Sequence, residues 1–235
     1  MKRFLDPWAI GLIAVMAYFS IRSGAFNDPR TWILTKLYLL PGIVIGLSFH
    51  EFAHAWISDR LGDDTPRLQG RVTLNPAAHI DLVGFIALIF VGFGWGVPVE
   101  IDPSRYKNRK AGEILVSLSG VVMNFALAFV FTVVLKLVYM AVGYYPSGVT
   151  AIIVTIIIYA IQINLVLMVF NLMPIPPLDG FNLISTIFDL RKYKWWYQIY
   201  DKGMIILMVL ILFNFTDYIL SPAVDFFWKI LSAML

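Results

Sequence analysis

His50-Glu51-Phe52-Ala53-His54 stands in the later half of a long apolar stretch, Trp32 to Leu61, and its reading decides the fold. The two histidines are spaced so that on a helix they share one face, about one turn apart. Two neutral imidazoles in that arrangement can grip one tetrahedral cation. Glu51 stands beside the first, where a carboxylate can take a proton from a water at the metal. Imidazole and carboxylate ligands with an open position suit zinc. With three histidines and three glutamates among 235 residues, chance places this pattern in roughly 3 of 10,000 shuffled sequences. Charged groups inside an apolar helix also cost about 3 kcal/mol each and need a partner. A divalent cation supplies one. Hydrogen bonding within a helix bundle, or the lining of a transport path, is the ordinary alternative.

The surroundings of the motif point to lipid. Sixty per cent of the residues are hydrophobic and 14% charged, more apolar surface than a water-soluble domain of this length can hide. Membrane crossings need roughly 20 apolar residues each. The expected fold is therefore an all-α membrane protein: a polytopic bundle of about five to six transmembrane helices, forming one integral membrane domain over residues 1–235 with its catalytic core at about 32–190. Apolar helices are read at Trp8–Ile21, Trp32–Leu61 with a bend at Pro41, Ala111–Val142, Val149–Leu172, Gly203–Leu220 and, as a short tail, Val224–Leu235. No small-residue cleavage site follows the first, which reads as a retained helix. Arg67 to Leu74 reads as a small β-hairpin at the surface. The absence of cysteine excludes disulfides, thiolate zinc sites and a cysteine nucleophile. A net charge of +3 makes no case for nucleic acid as a partner.

Basic residues set an orientation, because cytoplasmic loops collect them. Lys2 and Arg3, then Arg60, Arg67 and Arg71, then Arg105, Lys107, Arg109 and Lys110 all fall on the cytoplasmic side if two crossings separate the first two groups. Both flanks of Asp81–Val97 then share that side. This short segment, broken by Gly84, Gly92, Gly94 and Gly96, is expected to dip in and turn back, sheltered by protein. The uncharged turn Tyr144–Gly148 lies outside, and Asp179 returns to the cytoplasmic face with Arg191, Lys192 and Lys194. Lys136 reads as snorkelling to the outer interface, and Trp195-Trp196-Tyr197 as an interfacial aromatic anchor.

A catalytic zinc needs a third protein ligand, leaving the fourth position to water. Two residues qualify. His79 lies just before the re-entrant segment, where it can instead bond a backbone group or Asp81, itself a helix cap. Asp179 follows Pro174-Ile-Pro176-Pro177, which cannot continue a helix and lets the chain fold back towards His50. A surface turn with Asp179 capping the next helix is the plain alternative.

The chain resembles the site-2 protease family of intramembrane zinc metalloproteases, in a short form without PDZ or CBS domains. The resemblance rests on His50-Glu51-Phe52-Ala53-His54, on Asn171-Leu-Met-Pro174-Ile-Pro176-Pro177-Leu-Asp179-Gly180, on Asn75 to Asp81, on Gly94-Trp95-Gly96-Val-Pro98-Val99, and on Gly120 with Asn124. It implies Zn2+ held by His50, His54 and Asp179, with Glu51 as general base. Asn171 is implied to hold the substrate or its developing oxyanion, and Asn124 joins it as a candidate substrate contact, an interhelical hydrogen bond being its ordinary role. The implied function is hydrolysis of peptide bonds in or near transmembrane segments of membrane proteins. The implied place is the lipid bilayer of a prokaryotic plasma membrane, with the active site nearer the cytoplasmic face. Short strands of the family suggest that Arg67–Leu74 holds an unwound substrate by strand addition. Two departures, Val121 and Phe181 where the family often has proline and glycine, touch local packing and leave the ligands intact. A membrane metal transporter, and a non-catalytic scaffold for membrane helices, are the rival functions.

Overall fold

The computed structural model describes residues 7–22, 24 and 26–235, so Lys2 and Arg3 lie outside the described residues. The chain is helical almost throughout: α1 Pro7–Arg22, α2 Pro29–Arg60, α3 Thr65–Leu68, α4 Leu82–Val91, α5 Arg109–Val142, α6 Gly148–Leu172, α7 Asp179–Ile187, α8 Lys194–Asp201, α9 Gly203–Leu212 and α10 Asp217–Ser232. Local chemistry sets the starts. Asp28 accepts from Thr31 N at 3.2 Å ahead of Pro29 in α2, and Asn108 accepts from Ala111 N at 3.1 Å ahead of α5. Each satisfies a backbone donor that the first helical turn leaves open.

Among the described residues, α2, α5 and α6 are long and apolar enough to cross a membrane, and α8 with α9 adds a fourth candidate if that pair, bent by 57°, is one span. This is fewer than the five to six expected from apolar runs. The reason is breakage: Gly203–Leu220 is interrupted after Leu212, where Asn214 takes a positive φ of 57°, and α1 has 16 residues. The protein is nonetheless an integral membrane protein by its apolar helices, and α2 runs unbroken through Pro41.

The core is the three-helix contact of α2, α5 and α6, and small residues make it close. A Cβ on Gly42 would come within 2.8 Å of Ala160 Cα, and one on Gly46 within 3.0 Å of Asn164 Oδ1. Membrane helices that lack a hydrophobic drive between them associate through such approaches and through buried hydrogen bonds. The far ends of α5 and α6 pack with α10 around Ala128, Leu135, Ile161, Leu165 and Leu231. A second cluster, Met16, Phe93, Met173, Leu178, Leu207 and Met208, joins α1 and α9 to the loops flanking α4 and α7.

The segment Asp81–Val97 goes out and returns. α4 is ten residues, about 15 Å of helix, half the thickness of a bilayer's hydrocarbon core. It ends at Gly92, whose φ of +84° is a left-handed turn that glycine takes without strain. Ile80 and Gly96 then pair as an antiparallel bridge, and Val97 N donates to His79 O at 2.7 Å. Its two ends thus lie side by side, as the glycines and basic flanks predict.

The expected hairpin over Arg67–Leu74 is not what forms. Pro66 fits the first turn of a helix and lacks the N–H a strand would use. The chain makes the helical turn α3, then a loop in which Arg71 N donates to Pro66 O at 2.8 Å. Arg71 and His79 fold that loop onto the base of α4, through Ala78 O and Thr73 O respectively. The aromatic anchor is also divided. Trp195 and Tyr197 are exposed, whereas Trp196 is buried, donates to Ser185 Oγ at 2.7 Å and stacks on Phe181 and Tyr200. Lys136 donates to Met234 O rather than standing free.

Candidate metal centre

His50 and His54 sit on the α2 face turned towards α5, and each ring is fixed through its Nδ1. His50 Nδ1 donates to Asn124 Oδ1 at 2.6 Å, and His54 Nδ1 donates to Val116 O at 2.7 Å with Ser119 Oγ 3.1 Å away. A ring that donates from Nδ1 keeps its lone pair on Nε2, the form that binds a metal. The two Nε2 atoms are 3.0 Å apart.

Asp179 arrives from the other side. α6 stops before Met173-Pro174, the chain turns through Pro176-Pro177, and α7 begins at Asp179 itself. Close packing holds this turn: a Cβ on Gly203 would come within 2.7 Å of Pro176, and Gly180 lies against the Leu172 and Met173 carbonyls. Asp179 Oδ2 is thereby brought 3.1 Å from each histidine Nε2.

Three electron-pair donors therefore converge at 3.0–3.1 Å. With both rings neutral and donating from Nδ1, both Nε2 lone pairs face Asp179 Oδ2, which is then buried without a hydrogen-bond donor. Such a triangle is repulsive unless a proton or a metal cation joins it. Its size fits zinc, since tetrahedral ligands at about 2.0–2.1 Å lie about 3.3 Å from one another. It is the one such group of ligating side chains among the described residues. Gly120 makes the room: a Cβ there would stand 2.5–2.6 Å from His50 Cε1, His50 Nε2 and His54 Nε2.

Glu51 is half-buried beside this centre, and its Oε2 accepts from Val99 N at 3.3 Å. The loop that follows the Ile80–Gly96 bridge thus runs across the carboxylate. Its far end is anchored by Asp63, fully buried, which accepts from Ser58 Oγ at 2.9 Å, Thr65 N at 3.0 Å and Asp102 N at 2.7 Å. Burial pushes the Asp63 carboxyl up, but the hydrogen bonds from Thr65, Asp102 and Ser58 outweigh it and hold the group below the ordinary carboxylate value. Burial raises the phenol of Tyr106, whose oxygen lies 2.7 Å from Ser58 Oγ.

The other expected site residues are placed as follows. Asn124 is fully buried, with Nδ2 donating to Gly46 O at 3.1 Å and Asn164 Oδ1 at 3.0 Å. Its Oδ1 accepts from His50, and both Nδ2 hydrogens are taken up within the protein. Asn171 is half-buried and its Nδ2 donates to Leu167 O at 2.9 Å, one turn back in α6. His79 stands away from the centre and braces the Thr73 loop, and Asp81 caps α4 by accepting from Gly84 N at 2.8 Å. Val116, Ser119 and Asn164 were not legible as site residues. Ser119 and Asn164 carried one signal, a polar side chain within an apolar helix.

Comparison with known proteins shows the family. The model described as "Peptidase family M50" matches residues 137–215, which contain Asn171 and Asp179. YwhC of Bacillus subtilis, provisionally named a zinc metalloprotease, is 34% identical over 192 residues, covering 80% of this chain and 86% of its own. Rip2 of Mycobacterium tuberculosis, similarly named, is 27% identical over 176 residues, 73% of this chain and 65% of its own. MJ0611 of Methanocaldococcus jannaschii, again similarly named, is 30% identical over 158 residues, 66% of this chain and 73% of its own. No solved structure matches. The chain belongs to peptidase family M50, the site-2 proteases, and is a zinc-dependent metalloprotease of the membrane.

Proposed function

We propose that this protease hydrolyses peptide bonds in or near transmembrane segments of other membrane proteins, with His50, His54 and Asp179 holding the zinc and Glu51 as general base. The observation that carries the reading is the triangle of ligating atoms at 3.0–3.1 Å, two of them on a helix long and apolar enough to cross a membrane, with a carboxylate beside it. Zinc bound there supplies a Lewis acid that polarises a carbonyl and acidifies water. Glu51 takes the proton of the attacking water and hands it to the leaving amine. Asn171, at the end of α6 before the turn that carries Asp179, is proposed to hold the substrate near its developing oxyanion.

The site also has a side. Arg67 pairs with Asp59, Arg105 with Asp64, Arg109 and Arg191 with Glu113, and Lys110 with Asp189, all at one end of the bundle. Gly120 lies about 17 Å along α5 from that end and about 33 Å from the other, taking 1.5 Å per residue. The bias of basic residues supports a cytoplasmic near face, and the bacterial and archaeal relatives support a prokaryotic plasma membrane. A helical substrate hides its scissile carbonyl in its own hydrogen bonds, so weak helix formers near the cut favour cleavage.

Purified protein incubated with transmembrane peptides should cut them with zinc, stop on chelation and recover on metal return, the cut being located by mass spectrometry. Glu51→Gln should retain stoichiometric zinc and lose about 10²–10⁴-fold in rate. An active Glu51→Gln variant removes the assigned base, and metal flux into sealed vesicles without cleavage favours a transporter.

A further inference from the structure

Glu113, outside the ligand set, ties together the two halves of the metal centre. It lies one turn before Val116 on α5, the helix whose Val116 carbonyl and Asn124 orient the histidines. Although only 6% exposed, it receives three donors. Arg109 Nε donates to Oε1 at 2.8 Å within α5, while Thr186 Oγ1 donates to Oε2 at 3.0 Å, and Arg191 also donates to Oε2, from the end of α7 and the turn beyond it. Arg191 is steadied in turn by the face of Trp196, 5.7 Å from the guanidinium carbon. Lys110 adds a second tie at the same place, donating to Ile187 O at 2.9 Å and Asp189 Oδ2 at 3.1 Å.

These contacts fasten the C-terminal end of α7 to the start of α5, and Asp179 is the first residue of α7. The segment before α7 is a proline turn without helix hydrogen bonds of its own. A nine-residue helix carries a displacement at one end to the other, so its anchored C-terminal end, together with the packed turn before it, sets where Asp179 stands relative to the histidines. A buried carboxylate with several cationic partners is costly to desolvate and weak evidence for stability, which leaves geometry as its use.

We infer that Glu113 and Arg191 are positioning residues for the metal centre: they clamp α7 to α5 so that Asp179 meets the imidazoles. The inference rests on the reading of His50, His54 and Asp179 as zinc ligands. Removing Arg191 loosens the carboxylate ligand alone, since the histidines are held through Val116 and Asn124.

The test is a double-mutant cycle on zinc affinity, by chelator competition on full-length protein in detergent, with thermal midpoints of the metal-free forms alongside. Arg191→Gln should weaken zinc about 10–100-fold, as loss of a group supporting a ligand does, while Asp179→Asn should itself weaken zinc. In the Asp179→Asn background Arg191→Gln should change affinity by no more than about twofold, the limit for uncoupled sites. Thr186→Val removes a single neutral hydrogen bond and should follow the same pattern with a smaller loss, should Arg191→Gln fail to fold. Equal losses in both backgrounds, or no loss from either variant, would overturn the clamp while leaving the ligand reading intact. Absence of stoichiometric zinc in the unmodified protein would overturn both.

Discussion

At the scale of single residues, the centre depends on which nitrogen of each histidine carries the proton. Asn124 holds His50 in the right tautomer and is itself held by Gly46 O and Asn164. Asn124→Ala removes that support without touching a ligand. It should weaken zinc about 10–100-fold, read by chelator competition, with the metal-free fold retained. Gly120 acts by absence of a side chain. Gly120→Ala puts a methyl 2.5–2.6 Å from both ligating rings, so α5 or the imidazoles must shift. Zinc content of the purified variant, measured by elemental analysis, should fall far below stoichiometric. The motif from His50 to His54 was legible because two histidines and a glutamate at that spacing are rare in so apolar a chain. Val116 was invisible, since it contributes a carbonyl that every residue possesses.

At the scale of elements, α2 supplies two of the proposed ligands, α7 the third, and α5 the groups that aim them. The loop after Gly96 crosses Glu51, and its far end is secured by Asp63. Because the folded Asp63 carboxyl is held below its ordinary value, it contributes stability above the unfolded value of about 3.9. That contribution is lost as pH falls through the lower folded value. The thermal midpoint in detergent should therefore show a smaller gap between the unmodified protein and Asp63→Asn below about pH 3.9 than at neutral pH. A gap that stays constant would remove Asp63 from the acid limb. The out-and-back course of Asp81–Val97 was readable from glycine and charge. The misplaced hairpin was not, because a short polar stretch fits a hairpin as well as a helical turn and a loop, and Pro66 tips it to the latter.

At the scale of the whole molecule, the ion-paired arginines and Lys110 gather at one end, and the turn between α5 and α6 stands at the other with Tyr145 98% exposed. The chain has no cysteine, so single cysteines report topology cleanly. Cysteine at Lys107 and at Tyr145 should react with an impermeant maleimide from opposite faces of sealed vesicles, Lys107 from the cytoplasmic one. Labelling of both from one face would remove α5 as a crossing. By itself the sequence determined the membrane setting, the metal chemistry and the main apolar helices, because composition, ligand type and hydrophobic run length are properties of the chain alone. Tertiary structure decided between His79 and Asp179 as the group beside the histidines, turned Asn124 inward and set the Val116 carbonyl against His54. Those outcomes depend on which faces of α2, α5 and α7 meet, and that is set by packing between residues far apart along the chain.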